Sequence, residues 1–116
     1  MPFKTGLAER RRRKVLEKEL ERLLPKIVEL DVEKVILIGS MLGKVHKSSD
    51  IDIIVIKKTD KKFLDRLDEF YDHLKPRVAV DILVYTPEEF EKMKRRNQFI
   101  GHALKNGRIL YEKQRK

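Results

Sequence analysis

Between Val35 and Ile56 the chain reads VILIGSMLGKVHKSSDIDIIVI: an apolar run, a Gly-Ser turn, a polar excursion, and a second apolar run opened by two aspartates. Side chains of a strand alternate between its faces, so Asp50 and Asp52 leave one face while Ile51, Ile53 and Val55 point into a core. Two carboxylates side by side repel, and a strand gains nothing by pairing them. A divalent cation removes the repulsion, and hard oxygen ligands suit magnesium or manganese rather than zinc. In the preceding turn, Gly39 lets the backbone approach a ligand closely, and Ser40 adds a hydroxyl beside exposed N–H groups, a combination suited to phosphate. The stretch therefore asks for two strands joined so that a phosphate-binding turn and a carboxylate pair share one site.

A phosphate-binding P-loop is excluded. GSMLGK has three residues between Gly39 and Gly43 where that loop needs four, and Val45 stands where it needs Ser or Thr. Further along, Val78–Tyr85 (VAVDILVY) reads as a third strand with Asp81 alone among apolar residues. An isolated carboxylate inside such a strand is costly unless something compensates it. A buried arginine would do so; a shared metal site with Asp50 and Asp52 is the reading preferred here.

Gly-Ser, nine residues, then Asp-x-Asp on a strand, with a later strand aspartate, resembles the DNA polymerase beta-like nucleotidyltransferase superfamily, and its minimal nucleotidyltransferase branch in particular. The resemblance covers about the central half of the chain. It implies an α+β fold, a mixed β-sheet with helices packed on one side, over a single domain of residues 1–116. It also implies nucleotidyl transfer, in which an acceptor hydroxyl attacks the α-phosphate of ATP or another nucleoside triphosphate and pyrophosphate leaves. Asp50, Asp52 and Asp81 would be the catalytic and metal-ligating residues around two magnesium (or manganese) ions, with Asp81 also taking the acceptor's proton. Gly39, Ser40, Lys44 and Lys47 would hold the triphosphate. Minimal members often pair with a HEPN-domain protein as antitoxin and toxin, by transferring AMP to it or by binding it, so a HEPN partner is implied. In one respect the turn departs from the family: relatives commonly carry an arginine before the second glycine, and Met41-Leu42-Gly43 has none.

The remaining elements follow from periodicity. Leu16, Leu20, Leu23, Leu24, Ile27 and Val28 predict a first helix that ends or kinks near Leu24, ahead of Pro25. Phe63, Leu64, Leu67, Phe70, Tyr71 and Leu74 predict an amphipathic helix closed by Pro76. Thr86-Pro87-Glu88-Glu89 opens another with a capping box, and Phe99–Leu104 a last one before Asn106-Gly107. Arg108–Tyr111 reads as a short terminal strand. Val35–Ile38 should lie centrally in the sheet, and Ile51–Lys57 beside it.

The net charge of +9 sits mainly at the C-terminal end, where residues 91–116 carry nine basic and two acidic side chains. Such a segment suits an anionic partner, RNA or the triphosphate, or serves as a solvated face. The arginine run at positions 10–13 either contacts RNA or, as is ordinary, forms an exposed helix face balanced by Glu17, Glu19 and Glu21. His46 reads as an exposed loop residue rather than a phosphate ligand. No apolar run is long enough to cross a membrane, no secretory leader is evident, and cysteine is absent, so a cytoplasmic protein is expected. Two rivals stand beside the protein-modifying enzyme: a non-catalytic module that only binds its partner, and transfer to an RNA 3′ end. A plain RNA-binding domain ranks last, for want of a stacking motif.

Overall fold

The computed structural model describes residues 6–114. Its elements run α1 (Leu7–Val28), β1 (Lys34–Ile38), a short 3₁₀ turn (Gly39–Leu42), β2 (Ile51–Ile56), α2 (Phe63–Leu74), β3 (Val80–Tyr85), α3 (Pro87–Arg96), α4 (Gln98–Asn106) and β4 (Arg108–Glu112). The four strands form one mixed sheet in the order β3-β2-β1-β4. β1 pairs antiparallel with both β2 and β4, and β2 pairs parallel with β3. A parallel neighbour requires a crossover, and α2 provides it.

The class is α+β with a mixed sheet, as the sequence indicates, but the helices cover both faces. Val35, Leu37, Ile51, Ile53, Val55, Val80, Ile82 and Val84 pack under Leu16, Leu23 and Ile27 of α1 and Phe70 and Leu74 of α2. On the other face Ile36, Ile38, Ile54 and Ile56 pack against Phe90 of α3 and Ile100 of α4. The reason is in the strands: β1 and the body of β2 are apolar at even and odd positions alike, so cover on one side would leave four isoleucines in water.

Two boundaries differ from expectation. α1 continues through Pro25 to Val28 without a stop. Proline forfeits one helical hydrogen bond, yet the last turn buries Ile27 completely and Pro25 O still accepts from Glu29 N at 3.1 Å. β3 begins at Val80 rather than Val78, although Ile51 N already donates to Ala79 O at 3.2 Å.

α3 starts on the expected cap: Thr86 Oγ1 accepts from Glu89 N at 3.2 Å and Glu89 Oε1 from Thr86 N at 2.8 Å. The same carboxylate receives the buried Arg66 of α2, whose Nη1 lies 2.6 Å from Oε1. That guanidinium also donates to Val84 O at 3.1 Å and Lys61 O at 2.8 Å, tying α2, β3 and α3 together.

Candidate active site

β2 and β3 lie in register with Asp52 opposite Asp81. Their alternate neighbours Ile51, Ile53, Val80 and Ile82 point into the α1/α2 core, so both carboxylates leave on the α3/α4 face. Ile38, the last residue of β1, stands opposite Asp52 on its other side, which delivers the Gly-Ser turn to the same point. Gly39 sits at φ 81°, and a Cβ there would overlap the Asp52 carboxylate. Glycine is thus required twice over, by its backbone angle and by the side chain it faces.

The carboxylates are crowded. Asp52 is half-buried, and its pKa is pushed up to about 6 by burial, then by a hydrogen bond with Asp81 and the charges of Asp81 and Asp50. Asp81 itself is exposed, because β3 is an edge strand. The cost assigned to a lone aspartate inside an apolar strand therefore does not arise at Asp81; the strain sits on Asp52. Asp50 precedes the first residue of β2, and its Oδ1 lies 3.5 Å from Arg12 Nη2. Turned toward that cation, it does not complete a cage: among the described residues no three His, Cys, Asp or Glu side chains are grouped to hold an ion. The chemistry of the donors nonetheless fits magnesium, which binds through one or two carboxylates and fills its remaining positions with water and substrate phosphate oxygens. Asp52 and Asp81 supply such a pair.

A cleft of about 860 Å³ opens at these groups, within the range of small-molecule sites. Gly39, Leu42, Gly43, Asp52 and Asp81 line one end, while Phe99, His102 and Asn106 of α4 form a wall. Phe99 is 67% exposed, an aromatic ring left open beside the carboxylates. Of the residues expected at the site, Gly39, Asp52 and Asp81 meet in this cleft and Asp50 borders the pair. Ser40, Lys44 and Lys47 are not among its lining residues; the two lysines stand exposed in the loop that follows. His46 is exposed as expected, its N–H donating to Ser49 Oγ at 2.7 Å.

The arginine run is where the structure departs furthest from the sequence reading. Arg12 and Arg13 turn toward the loop between β1 and β2 instead of balancing glutamates along the helix. Glu19 is buried and bonds Arg22, one turn on. Four consecutive arginines, more cation than the nearby glutamates of one helix face require, were the available signal.

Comparison with known proteins agrees with this geometry. A family model described as "Polymerase beta, Nucleotidyltransferase" matches residues 18–116. The solved structure of a candidate nucleotidyltransferase from Sulfolobus solfataricus superposes with a TM-score of 0.67 over 94% of this chain and 91% of that one, at 18% identity. That likeness is one of fold. A mutant of the toxin-antitoxin MntA-HpeT aligns over 88% of this chain and 74% of its own, also at 18% identity, with a TM-score of 0.44, too loose to bear on function. No curated protein matches the chain in sequence.

Proposed function

The chain belongs to the polymerase beta nucleotidyltransferase family, and from that premise we propose that it transfers a nucleoside monophosphate, AMP from ATP, to a hydroxyl group. The observation that carries the reading is the Asp52–Asp81 pair: two carboxylates in register at one cleft, with burial and the neighbouring carboxylates opposing ionisation of Asp52. A fold retains such a pair at a cost in stability, and a cation brought by a triphosphate offsets that cost. Magnesium or manganese, bound there, would supply charge neutralisation at the α-phosphate and at the attacking and leaving oxygens.

The chain's own residues then divide the work. Asp52, held against Gly39, fixes the site relative to the Gly-Ser turn. Asp81, the exposed member, stands where an incoming hydroxyl can reach it and would accept its proton. Asp50, held beside the pair by Arg12, would be the third ligand. Gly39 and Ser40 hold the triphosphate, with Lys44 and Lys47 as exposed counter-charges from the loop, and Phe99 offers a face to the base.

For the acceptor we favour a hydroxyl on a partner protein, of the HEPN type, with this chain as antitoxin in the cytoplasm. Among the described residues no helix is long and apolar enough to cross a membrane. The described residues build one lobe around one sheet, so an acceptor that brings its own surface fits the site. Transfer to an RNA 3′ end is the second reading: α3 ends in Lys94, Arg95 and Arg96 and packs on α4, the wall of the cleft. The test is incubation with labelled ATP and magnesium, together with a HEPN partner or with total tRNA. Label on the protein, lost in Asp50→Asn, is the expected result; label on tRNA alone favours the second reading. A stable complex with no label, under conditions where ATP binds, would leave only a non-catalytic module.

A further inference from the structure

Two consecutive residues of α1 hold the loop that carries the site. Arg13 donates through Nη1 to Met41 O at 3.0 Å and through Nη2 to Gly43 O at 2.6 Å. Arg12 donates through Nε to Ser49 O at 2.8 Å, and its Nη2 reaches Asp50 Oδ1 at 3.5 Å. One turn of a helix therefore grips the segment 41–50 at its beginning and at its end. Inside the loop Ser49 N donates to His46 O at 3.0 Å, Ser49 Oγ accepts from His46 N, and Met41 and Val45 are buried in the α1/α2 core. Both arginines precede residue 18, where the match to the family model begins.

A guanidinium is suited to this. Its planar fork presents several N–H donors in fixed directions, so a single side chain can bond two carbonyls, or a carbonyl and a carboxylate, at once; an ammonium cannot reproduce that geometry. Arg13 touches only main-chain oxygens of the turn, so it sets the path of Gly39–Gly43 with no carboxylate contact. Arg12 sets the backbone just ahead of Asp50 and puts a positive charge beside its carboxylate, the third negative group acting on Asp52.

We propose that Arg12 and Arg13 are positioning residues of the active site: α1 fixes the phosphate-binding turn through Arg13 and brings Asp50 alongside the Asp52–Asp81 pair through Arg12. The inference rests on the nucleotidyltransferase reading of those groups. It extends the site to a part of the chain that lies in sequence about thirty residues away from the turn it holds.

The experiment compares wild type with Arg13→Ala, Arg13→Lys and Arg12→Ala by amide hydrogen exchange and by calorimetric titration with magnesium-ATP, well below the melting temperature. In Arg13→Ala, exchange within residues 41–50 should accelerate while β1 and β2 keep their protection, and the magnesium-ATP Kd should rise about tenfold. Arg13→Lys, which keeps the charge and one donor, should recover part of that loss. Arg12→Ala should loosen residues 46–50 and weaken magnesium-ATP binding as well. In the transfer assay the Arg13 effect should fall on KM rather than kcat, since the turn holds substrate in the ground state. Unchanged exchange in both alanine variants would overturn the clamp. Faster exchange with unaltered magnesium-ATP affinity would overturn the positioning role alone. A wild-type chain that binds no magnesium-ATP would overturn the site reading and the positioning role with it.

Discussion

Two carboxylates of this chain are drawn in opposite directions, and the contrast separates what the fold needs from what the site needs. Glu19 on α1 is 5% exposed and fully partnered. Arg22 Nε and Nη2 donate to its two oxygens at 2.7 and 2.9 Å, and the Arg77 backbone N–H donates to Oε2. Its pKa is lowered to about 2, chiefly by the bond from Arg22. Asp52 is half-buried as well, but its partner is another carboxylate, and its pKa rises to about 6. Glu19 joins α1 to the segment entering β3. Asp52 instead faces other carboxylates, and that costs the fold stability. A carboxyl placed for structure finds a cation within the chain; under the proposed function, Asp52 would take its cation from outside.

The sharpest break of this contrast is substitution at each pole. Glu19→Ala strips the Arg22 guanidinium of its partner and leaves the Arg77 N–H unmet, so chemical denaturation should show a loss of about 3 kcal/mol. Equal stability to wild type would mean that Glu19 is a surface pair of no consequence. Gly39→Ala should cost about 2 kcal/mol, from its positive φ and from contact with Asp52, and the loss should shrink in an Asp52→Ala background. Additive losses would show that the two residues do not touch.

Asp52→Asn should move stability the other way, gaining about 1–2 kcal/mol at pH 7 without metal, because repulsion with Asp81 and Asp50 is relieved. The pH dependence sharpens this. The folded state raises the Asp52 pKa from 3.8 to about 6, so it holds the proton more tightly than the unfolded chain. That contribution is fully present below 3.8 and is lost as pH climbs through 6. Glu19 runs opposite, from 4.5 down to about 2: its contribution is present above 4.5 and lost as pH falls toward 2. Metal-free melting temperatures should therefore peak at about pH 4 and decline on both sides. Saturating magnesium should flatten the neutral side alone, and Asp52→Asn should do the same without metal. A neutral-side slope unaffected by either would sever the pKa shift from the proposed site. The smallest effect is at Ser40, which does not line the cleft: Ser40→Ala should weaken triphosphate binding by roughly 1 kcal/mol, read by calorimetry.

The strands and the face each aspartate takes were legible because alternation is local. Alternation over Ile51–Val55 and Val78–Tyr85 fixes which residues share a face, and Asp52 and Asp81 emerge together once β2 and β3 lie in register. Cover on both faces was missed: the resemblance implied helices on one side, although the isoleucines at 36, 38, 54 and 56 argue against a bare face. The edge position of β3 was not, because strand order depends on α2 and α3 packing rather than on the content of the strand; the exposure of Asp81 follows from that order. The grip of Arg12 and Arg13 on the turn was signalled only by the excess of arginines, with nothing to name its target. An arginine run looks the same on a solvated helix face and against carbonyls supplied some thirty residues later.

The central claim is that Asp52 and Asp81 face each other in order to take a cation together with a nucleotide. Calorimetric titration of ATP into the protein, with magnesium and then with chelator, tests it most directly. Binding is expected with magnesium, with a large loss on adding chelator and no metal-dependent binding in an Asp52→Asn variant that remains folded. Equal ATP affinity with and without the metal, or undiminished magnesium-ATP binding in Asp52→Asn, would contradict it.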